Sequence, residues 1–262
     1  MSTIQHYSDL QEKGVLITGV SRLVGIGAAL ARAFAAQGCR LFLTGYVRAD
    51  QESYPESASG EDPELLVREL SPLCDVIHYL DLDLTQTNAA ETLLDTATDL
   101  LGPITILVNN AAHSAEEGWE ELTPVSLDYH YAINVRAPVL LATLFVRQLV
   151  SHRGGRIINL TSGQDVGPMP DTLAYATTKG ALASFTRSLA KGVAKLGITV
   201  NAIDPGPTDT GWMSAEFKAT LEAASEFGRV GTPEETARLA LFLASEGAGW
   251  ITGQVIHARG DF

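Results

Sequence analysis

Seven short apolar runs recur along this chain, each followed by a stretch of helix-forming or polar residues, and few folds accommodate that alternation. The runs lie at 14–19 (GVLITG), 40–44, 75–80, 104–109 (ITILVN), 156–160, 198–203 and 254–257. Runs of this length, apolar on successive residues rather than on alternate ones, read as strands buried on both faces. Helical patterns fall between them at 25–37, 64–70, 89–101, 126–151, 175–196 and 233–244. Pro138 is a possible kink in the fourth of these helices, and Thr232 followed by Pro233 reads as an N-cap and first position of the last. Strands alternating with helices predict a doubly wound, mostly parallel seven-stranded sheet with helices on both faces. No repeat and no linker interrupts the pattern, so residues 1–262 are expected to form a single α/β domain. The least regular segment, 46–63, is rich in Ser, Glu, Asp and Pro and reads as a surface loop, a mobile insertion rather than a binding lid.

Composition excludes several classes of function. Apolar residues make up 45% of the chain, enough for a sizeable core. A net charge of −13 argues against nucleic acid or an anionic membrane as a partner. The two cysteines, Cys39 and Cys74, are far apart, so a reducing compartment is expected. The histidines show no metal-ligand spacing, and no metal site is expected. The first residues, MSTIQHYSDLQEKG, lack the apolar core of a secretory signal, and no apolar run reaches the length of a membrane span. These features point to the cytoplasm.

The turn after the first run reads TGVSRLVGIG, 18–27. Glycines between a strand and a helix let the backbone approach a pyrophosphate while the helix N-terminus points at it. A preference for NAD is usually marked by an acid at the end of the second strand, where it holds the ribose diol. Residues 43–48 contain none, whereas Arg22 and Arg48 stand within plausible reach of a 2′-phosphate, which favours NADP(H) over NAD(H). Asp83, after the third run, is placed to meet an adenine. The run Asn109-Asn110-Ala111-Ala112 puts small residues at a strand end, where open α/β sheets bind ligands.

The chemistry centres on 162–179. Tyr175 and Lys179 are four residues apart, one turn along a helix, and an ammonium beside a phenol favours phenolate. Ser162 ends the fifth run, and Asn134 is a polar residue inside a long helix. Together with Thr18-Gly19, Gly25-Ile26-Gly27, Asn109-Asn110-Ala111 and Pro205-Gly206, these residues resemble the short-chain dehydrogenase/reductase family over almost the whole chain. Within it the chain looks most like the 3-oxoacyl-[acyl-carrier-protein] reductases. The resemblance implies a Rossmann fold and an oxidoreductase that moves hydride between NADP(H) and a carbonyl or alcohol.

It also implies roles at matching positions. Tyr175 is the general acid/base, Ser162 orients the carbonyl oxygen, Lys179 lowers the Tyr175 pKa and binds the nicotinamide ribose, and Asn134 holds a water that links Lys179 to solvent. Cofactor contacts are implied for Gly19, Ser21, Arg22, Gly25, Ile26, Gly27, Tyr46, Asp83, Leu84, Asn110, Ala111, Tyr175, Lys179, Pro205, Gly206, Thr208 and Thr210. Substrate contacts are expected from Gln164, Met169, Trp212 and Met213, with a substrate loop near 207–228. His113 and Trp119 can border the pocket but are not assigned to it. Two positions depart from the family: five residues rather than three separate Gly19 from Gly25, and Ala112 stands where Gly is commoner.

The implied assembly is a homotetramer or homodimer through the two long helices. A carrier-protein partner would need a basic patch, to which Arg136, Arg147, Arg153 and Arg156 are candidate contributors. The alternative functions are an NAD-linked dehydrogenase of a small alcohol or sugar and a non-catalytic dinucleotide-binding sensor.

Overall fold

The computed structural model describes residues 5–55, 57–149 and 154–262. Its seven strands are β1 (Gly14–Thr18), β2 (Arg40–Gly45), β3 (Ile77–Asp81), β4 (Ile104–Asn109), β5 (Gly155–Leu160), β6 (Ile198–Asp204) and β7 (Val255–His257). They form one sheet in the order β3-β2-β1-β4-β5-β6-β7, and every pairing is parallel. The order reverses direction between β1 and β4, which opens a crevice at the carboxyl ends of those strands.

The helices are α1 (Ile26–Ala35), α2 (Val47–Ser53), α3 (Asp62–Leu70), α4 (Ala89–Leu101), α5 (Pro124–Tyr131), α6 (Ala137–Leu149), α7 (Leu173–Val193), α8 (Ala215–Ala224) and α9 (Pro233–Ala244). Continuous apolar runs are explained by two cores, one on each face. Val15 and Ile17 of β1 pack under α1 and α9, while Leu16 between them packs under α4 and α6. Each such side chain contributes roughly 1.5–3 kcal/mol of apolar burial.

Four details differ from expectation. The segment 46–63 is not a plain loop: α2 occupies its first part and α3 begins within its end. The substrate loop near 207–228 contains α8. The third strand starts later than expected, at Ile77. The long helix of 126–151 is interrupted not by a proline kink but by a π-helical turn, Ala132–Arg136, that separates α5 from α6. Pro138 has no N–H to give to the carbonyl of Asn134 four residues back, so the α-helical ladder is broken where the π turn stands. By length and composition Pro124–Leu149 could cross a membrane. Its inner face is instead core, with Leu141, Ala142 and Phe145 buried against α4 and the sheet. The expected end of that helix beyond 149 and Arg153 lie outside the described residues.

A buried polar ladder fixes α7 against the sheet. Asn109 Nδ2 donates to Asn159 Oδ1 at 2.8 Å, and Asn159 Nδ2 donates to Thr186 Oγ1 of α7 at 2.9 Å. That docking sets where the start of α7, with Tyr175 and Lys179, meets the crevice.

Candidate active site

The crevice is a cleft of about 840 Å³ over the carboxyl ends of the sheet. Its floor is backbone laid on backbone. Gly19 has φ +74°, and a Cβ there would stand 2.7 Å from Ala111 Cα; a Cβ on Gly27 would stand 2.2 Å from the Gly19 carbonyl oxygen. Thr18 Oγ1 accepts from the N–H groups of Asn110 and Ala111, and Asn110 Nδ2 donates to the carbonyls of Thr18 and Gly19. The ends of β1 and β4 are thus laced together without side chains that would fill the groove. Gly25, at the start of α1, caps the helix with no side chain, so the helix N–H groups remain free for an anion. This cradle fits a dinucleotide pyrophosphate.

The two extra residues of the turn bulge sideways rather than into the groove. Leu23 N–H donates to Asp62 at the start of α3, and Arg32 Nη1 donates to the Leu23 carbonyl at 2.8 Å. Arg22 is displaced with them. Its guanidinium lies 3.9 Å from the centre of the Tyr54 ring and donates to Ser57 Oγ and, at 3.0 Å, to the Thr210 carbonyl. Ser21 hydrogen-bonds Asp50 of α2, whose carboxylate also lies 3.7 Å from Arg22. Burial raises the Asp50 pKa, opposed by Ser21 and Arg22. Arg48 points away from the cleft: it is exposed and paired with Glu52 at 2.9 Å.

At the other end of the cleft, Tyr175 and Ser162 both line the wall. Lys179 does not; it is 2% exposed and lies under Tyr175, with Nζ 5.5 Å from the ring centre. Its ammonium donates to the Leu160 carbonyl at 2.7 Å. Burial pushes Tyr175 up to about 12, against the opposing hydrogen bond of Ser162. Burial pushes Lys179 down to about 8. Asn134 is fully buried, and its amide is engaged. Oδ1 accepts from His113 N–H at 2.8 Å, while Nδ2 donates to the His113 carbonyl at 2.8 Å and to Thr178 Oγ1 at 3.0 Å.

All the residues expected to contact a cofactor line this one cleft except Lys179. Of the expected substrate contacts, Met169 and Trp212 line it, and Trp212 Nε1 is anchored to the Thr208 carbonyl at 3.0 Å. Gln164 and Met213 do not. Gln164 folds back to accept from the Ser162 N–H at 3.1 Å, which spends its amide on shaping the turn. His113 joins the wall, whereas Trp119 is 80% exposed and outside it.

A model of the family described as enoyl-(acyl carrier protein) reductase matches residues 19–260. An uncharacterized oxidoreductase of Bacillus subtilis, YjdA, is 45% identical over 97% of this chain and 98% of its own length. The 3-oxoacyl-[acyl-carrier-protein] reductase FabG of Aquifex aeolicus is 32% identical over 96% and 97% respectively. The solved structure of a short-chain dehydrogenase/reductase from Serratia marcescens superposes with a TM-score of 0.86, at 30% identity, over 97% of this chain and 99% of that one. The chain belongs to the short-chain dehydrogenase/reductase family. It is on the FabG-like side of that family, and the relatives make it an NAD(P)-dependent oxidoreductase.

In this short-chain dehydrogenase/reductase the sequence reading missed the residues that reach the cleft from irregular or unexpected structure. Asp50, Tyr54 and Ser57 come from the 46–63 segment, and Ser114, Glu116 and Thr172 from the loops after β4 and β5. No periodic signal marks them. Tyr54 and Asp50 stood out only as an aromatic and an acid inside a polar stretch.

Proposed function

We propose that this enzyme interconverts a carbonyl compound and its alcohol, with Tyr175 as the general acid/base and NADP(H) as the cofactor. The observation that carries the reading is the placement of Ser162 and Tyr175 on one wall of the cleft whose other end is the glycine cradle, with Lys179 buried beneath the tyrosine. Held on the glycine cradle, a reduced dinucleotide would supply the hydride that a carbonyl carbon needs, and the oxidised form would accept one from an alcohol. Ser162 donates a hydrogen bond to the carbonyl oxygen and fixes its direction. As the carbon gains hydride, that oxygen takes the Tyr175 proton, leaving an alcohol and a phenolate. The buried Lys179 ammonium then stabilises the phenolate from 5.5 Å below the ring centre, where low dielectric strengthens the attraction. Asn134 acts through the backbone of His113 and through Thr178, one residue before Lys179. With both amide hydrogens spent, any water it holds toward Lys179 takes the free lone pair of Oδ1 or a backbone carbonyl.

Tyr175→Phe is the test. The variant should bind the dinucleotide and lose turnover by a factor of about 10³ or more. Retained turnover across carbonyl and alcohol substrates would overturn the role of Tyr175. Binding without turnover by the wild-type protein would make it a sensor.

Arg22 supports NADP(H): it is the cation among the residues lining the adenosine half of the cleft, and Ser21 lies beside it. A second reading, NAD(H), is favoured by Asp50, an acid that α2 brings to the end of β2. The two differ in which partner Arg22 keeps, a phosphate or Asp50. Tighter binding of NADH than NADPH sinks the first.

We further propose a homodimer or homotetramer, built on the exposed apolar side chains Val125, Leu127, Tyr131 and Leu140 of α5 and α6. A monomeric mass in solution contradicts this. A carrier-protein partner gains no support from Arg136 and Arg156, which do not converge. Arg136 donates to the Thr85 carbonyl beside the cleft, while Arg156 lies at the start of β5, the far end of the sheet. The two free, buried cysteines suit a reducing, cytoplasmic setting.

A further inference from the structure

The crevice has two halves. Loops after β1, β2 and β3 build one, around the glycine cradle; loops after β4, β5 and β6 build the other, around Ser162 and Tyr175. The second half has a wall that is fixed at both ends. At one end Asn134 grips the backbone N–H and C=O of His113. At the other, Glu117 N–H donates to the Asp171 carbonyl at 2.8 Å, and Leu173 N–H donates to the Glu117 carbonyl at 3.2 Å. Residues 113–117 are therefore pinned to the π turn and to the start of α7, and His113, Ser114 and Glu116 face the cleft with Thr172 and Met169.

The His113 ring is also packed by Tyr129, which itself lines the cleft, and by His130. Tyr129 meets it edge-on with ring centres 4.6 Å apart, and the fully buried His130 lies 4.5 Å away. His130 Nδ1 is 2.9 Å from the Ser126 carbonyl and so carries the proton there; its Nε2 has no partner. Burial, and then His130, push His113 down to about 4. His113 thus presents a neutral imidazole, one donor and one acceptor, to the cleft. Ser114 and Thr172 add hydroxyls and Glu116 a carboxylate. Among the described residues of the loops after β4, β5 and β6 that line the cleft there is no lysine or arginine. Arg22 comes from the turn after β1 and touches this half only at the Thr210 carbonyl, with its guanidinium also engaged by Ser57 and Tyr54, and Lys179 is sealed under Tyr175.

An anionic substrate finds Glu116 here and no counter-charge. An acyl chain can pack on Ile133, Met169 and Trp212, which also line this half, but it leaves the hydroxyls and the imidazole without hydrogen-bond partners, at a cost to those groups. A hydroxyl beside the reacting carbonyl finds both donors and acceptors. We infer that the substrates are small, uncharged, hydroxylated carbonyl compounds, α-hydroxyketones and hydroxyaldehydes, and that His113 is the residue that selects them. The inference rests on the reading of this site as a carbonyl reductase.

Three ketones of similar size test it: hydroxyacetone, butanone and pyruvate, each with the enzyme and saturating reduced dinucleotide. The expected result is a kcat/KM for hydroxyacetone about tenfold or more above those of the other two. His113→Phe, which keeps a ring against Tyr129, should bring the hydroxyacetone-to-butanone ratio toward one, and His113→Asn, which restores a neutral hydrogen-bonding group, should recover part of it. Pyruvate or an acyl thioester as the best substrate, or a ratio unchanged in His113→Phe, overturns the inference. Binding of the same ketones to the complex of Tyr175→Phe with reduced dinucleotide, followed by nicotinamide fluorescence, separates this from the reductase reading. Selective binding of hydroxyacetone without turnover by the wild type sinks the reductase reading and leaves the class of ligand standing. Turnover without selectivity sinks the inference alone, and neither binding nor turnover sinks both.

Discussion

Lys179 is a buried ammonium whose one hydrogen-bond acceptor among the described residues is the Leu160 carbonyl. Its pKa of about 8 lies below the ordinary 10.5, and burial is the cause. Below pH 8 the lysine is charged in both folded and unfolded chains, and the full desolvation penalty is present. Between about 8 and 10.5 the unfolded chain binds more protons than the folded one, so the penalty is relieved as pH rises. Lys179→Met removes this dependence. In the cofactor-free protein, the stability of the wild type relative to Lys179→Met should therefore increase from pH 8 to 10, read as the difference in urea midpoints. A flat or falling difference would show that the ammonium is not desolvated. Tyr175 shifts the other way, up to about 12, and its contribution falls only as pH rises past its unfolded value of about 10. The four-residue spacing placed these two groups together; whether burial or charge wins between them depends on the depth at which α7 is docked.

At the scale of elements, the extended glycine turn, the α2 segment and the loop after β6 meet around Arg22. The guanidinium stacks on Tyr54 and bonds the Thr210 carbonyl, 188 residues away in sequence. Gly211 packs beside the same junction: a Cβ there would stand 3.2 Å from Ser57 Cβ. The stacking and the hydrogen bonds together are worth on the order of 1–2 kcal/mol at a partly exposed site. Arg22→Ala should speed hydrogen exchange of the Tyr54 and Ser57 amides about tenfold, with α9 and the central strands unchanged. No change at Tyr54 and Ser57 would mean that their own backbone hydrogen bonds hold them without Arg22. α9 shows how much a local signal can say. Thr232 and Pro233 spell its start, and in the structure the Thr232 N–H donates to the Glu235 carboxylate at 2.9 Å, with Arg229 holding Glu235 at 2.7 Å. The π turn had no such signal, because Pro138 also suits an ordinary kink.

Across the molecule, the final strand is tied to the loops carrying Ser162 and Gly206 through one buried acid. Asp204 ends β6 and is fully buried; it accepts from Arg259 at 3.0 Å and lies 2.9 Å from His257 Nδ1. Arg259 in turn packs under Gly163, which follows Ser162, and under Gly206. Asp204→Asn leaves that guanidinium without its counter-charge. Since Arg259 is still partly solvated, the expected loss is about 3 kcal/mol, seen as a lower urea midpoint with an unchanged slope. A loss below about 0.5 kcal/mol would mean that water replaces the carboxylate.

The alternation of buried runs with helices determined the doubly wound parallel sheet, because a strand covered on both faces must be apolar throughout and its crossovers must be helical. Local spacing likewise determined the glycine cradle and the Ser162, Tyr175 and Lys179 set, since each depends on residues close in the chain or at strand ends. Only the tertiary structure decided which side chains complete the cleft. Asp50 and Tyr54 reach it because α2 folds over the end of β2; His113 faces it because Asn134, 21 residues on, holds its backbone. Gln164 leaves it because a nearer amide competes for its oxygen. These are contacts between segments with no periodic signature, and their geometry is set by how the loops over the sheet pack on one another.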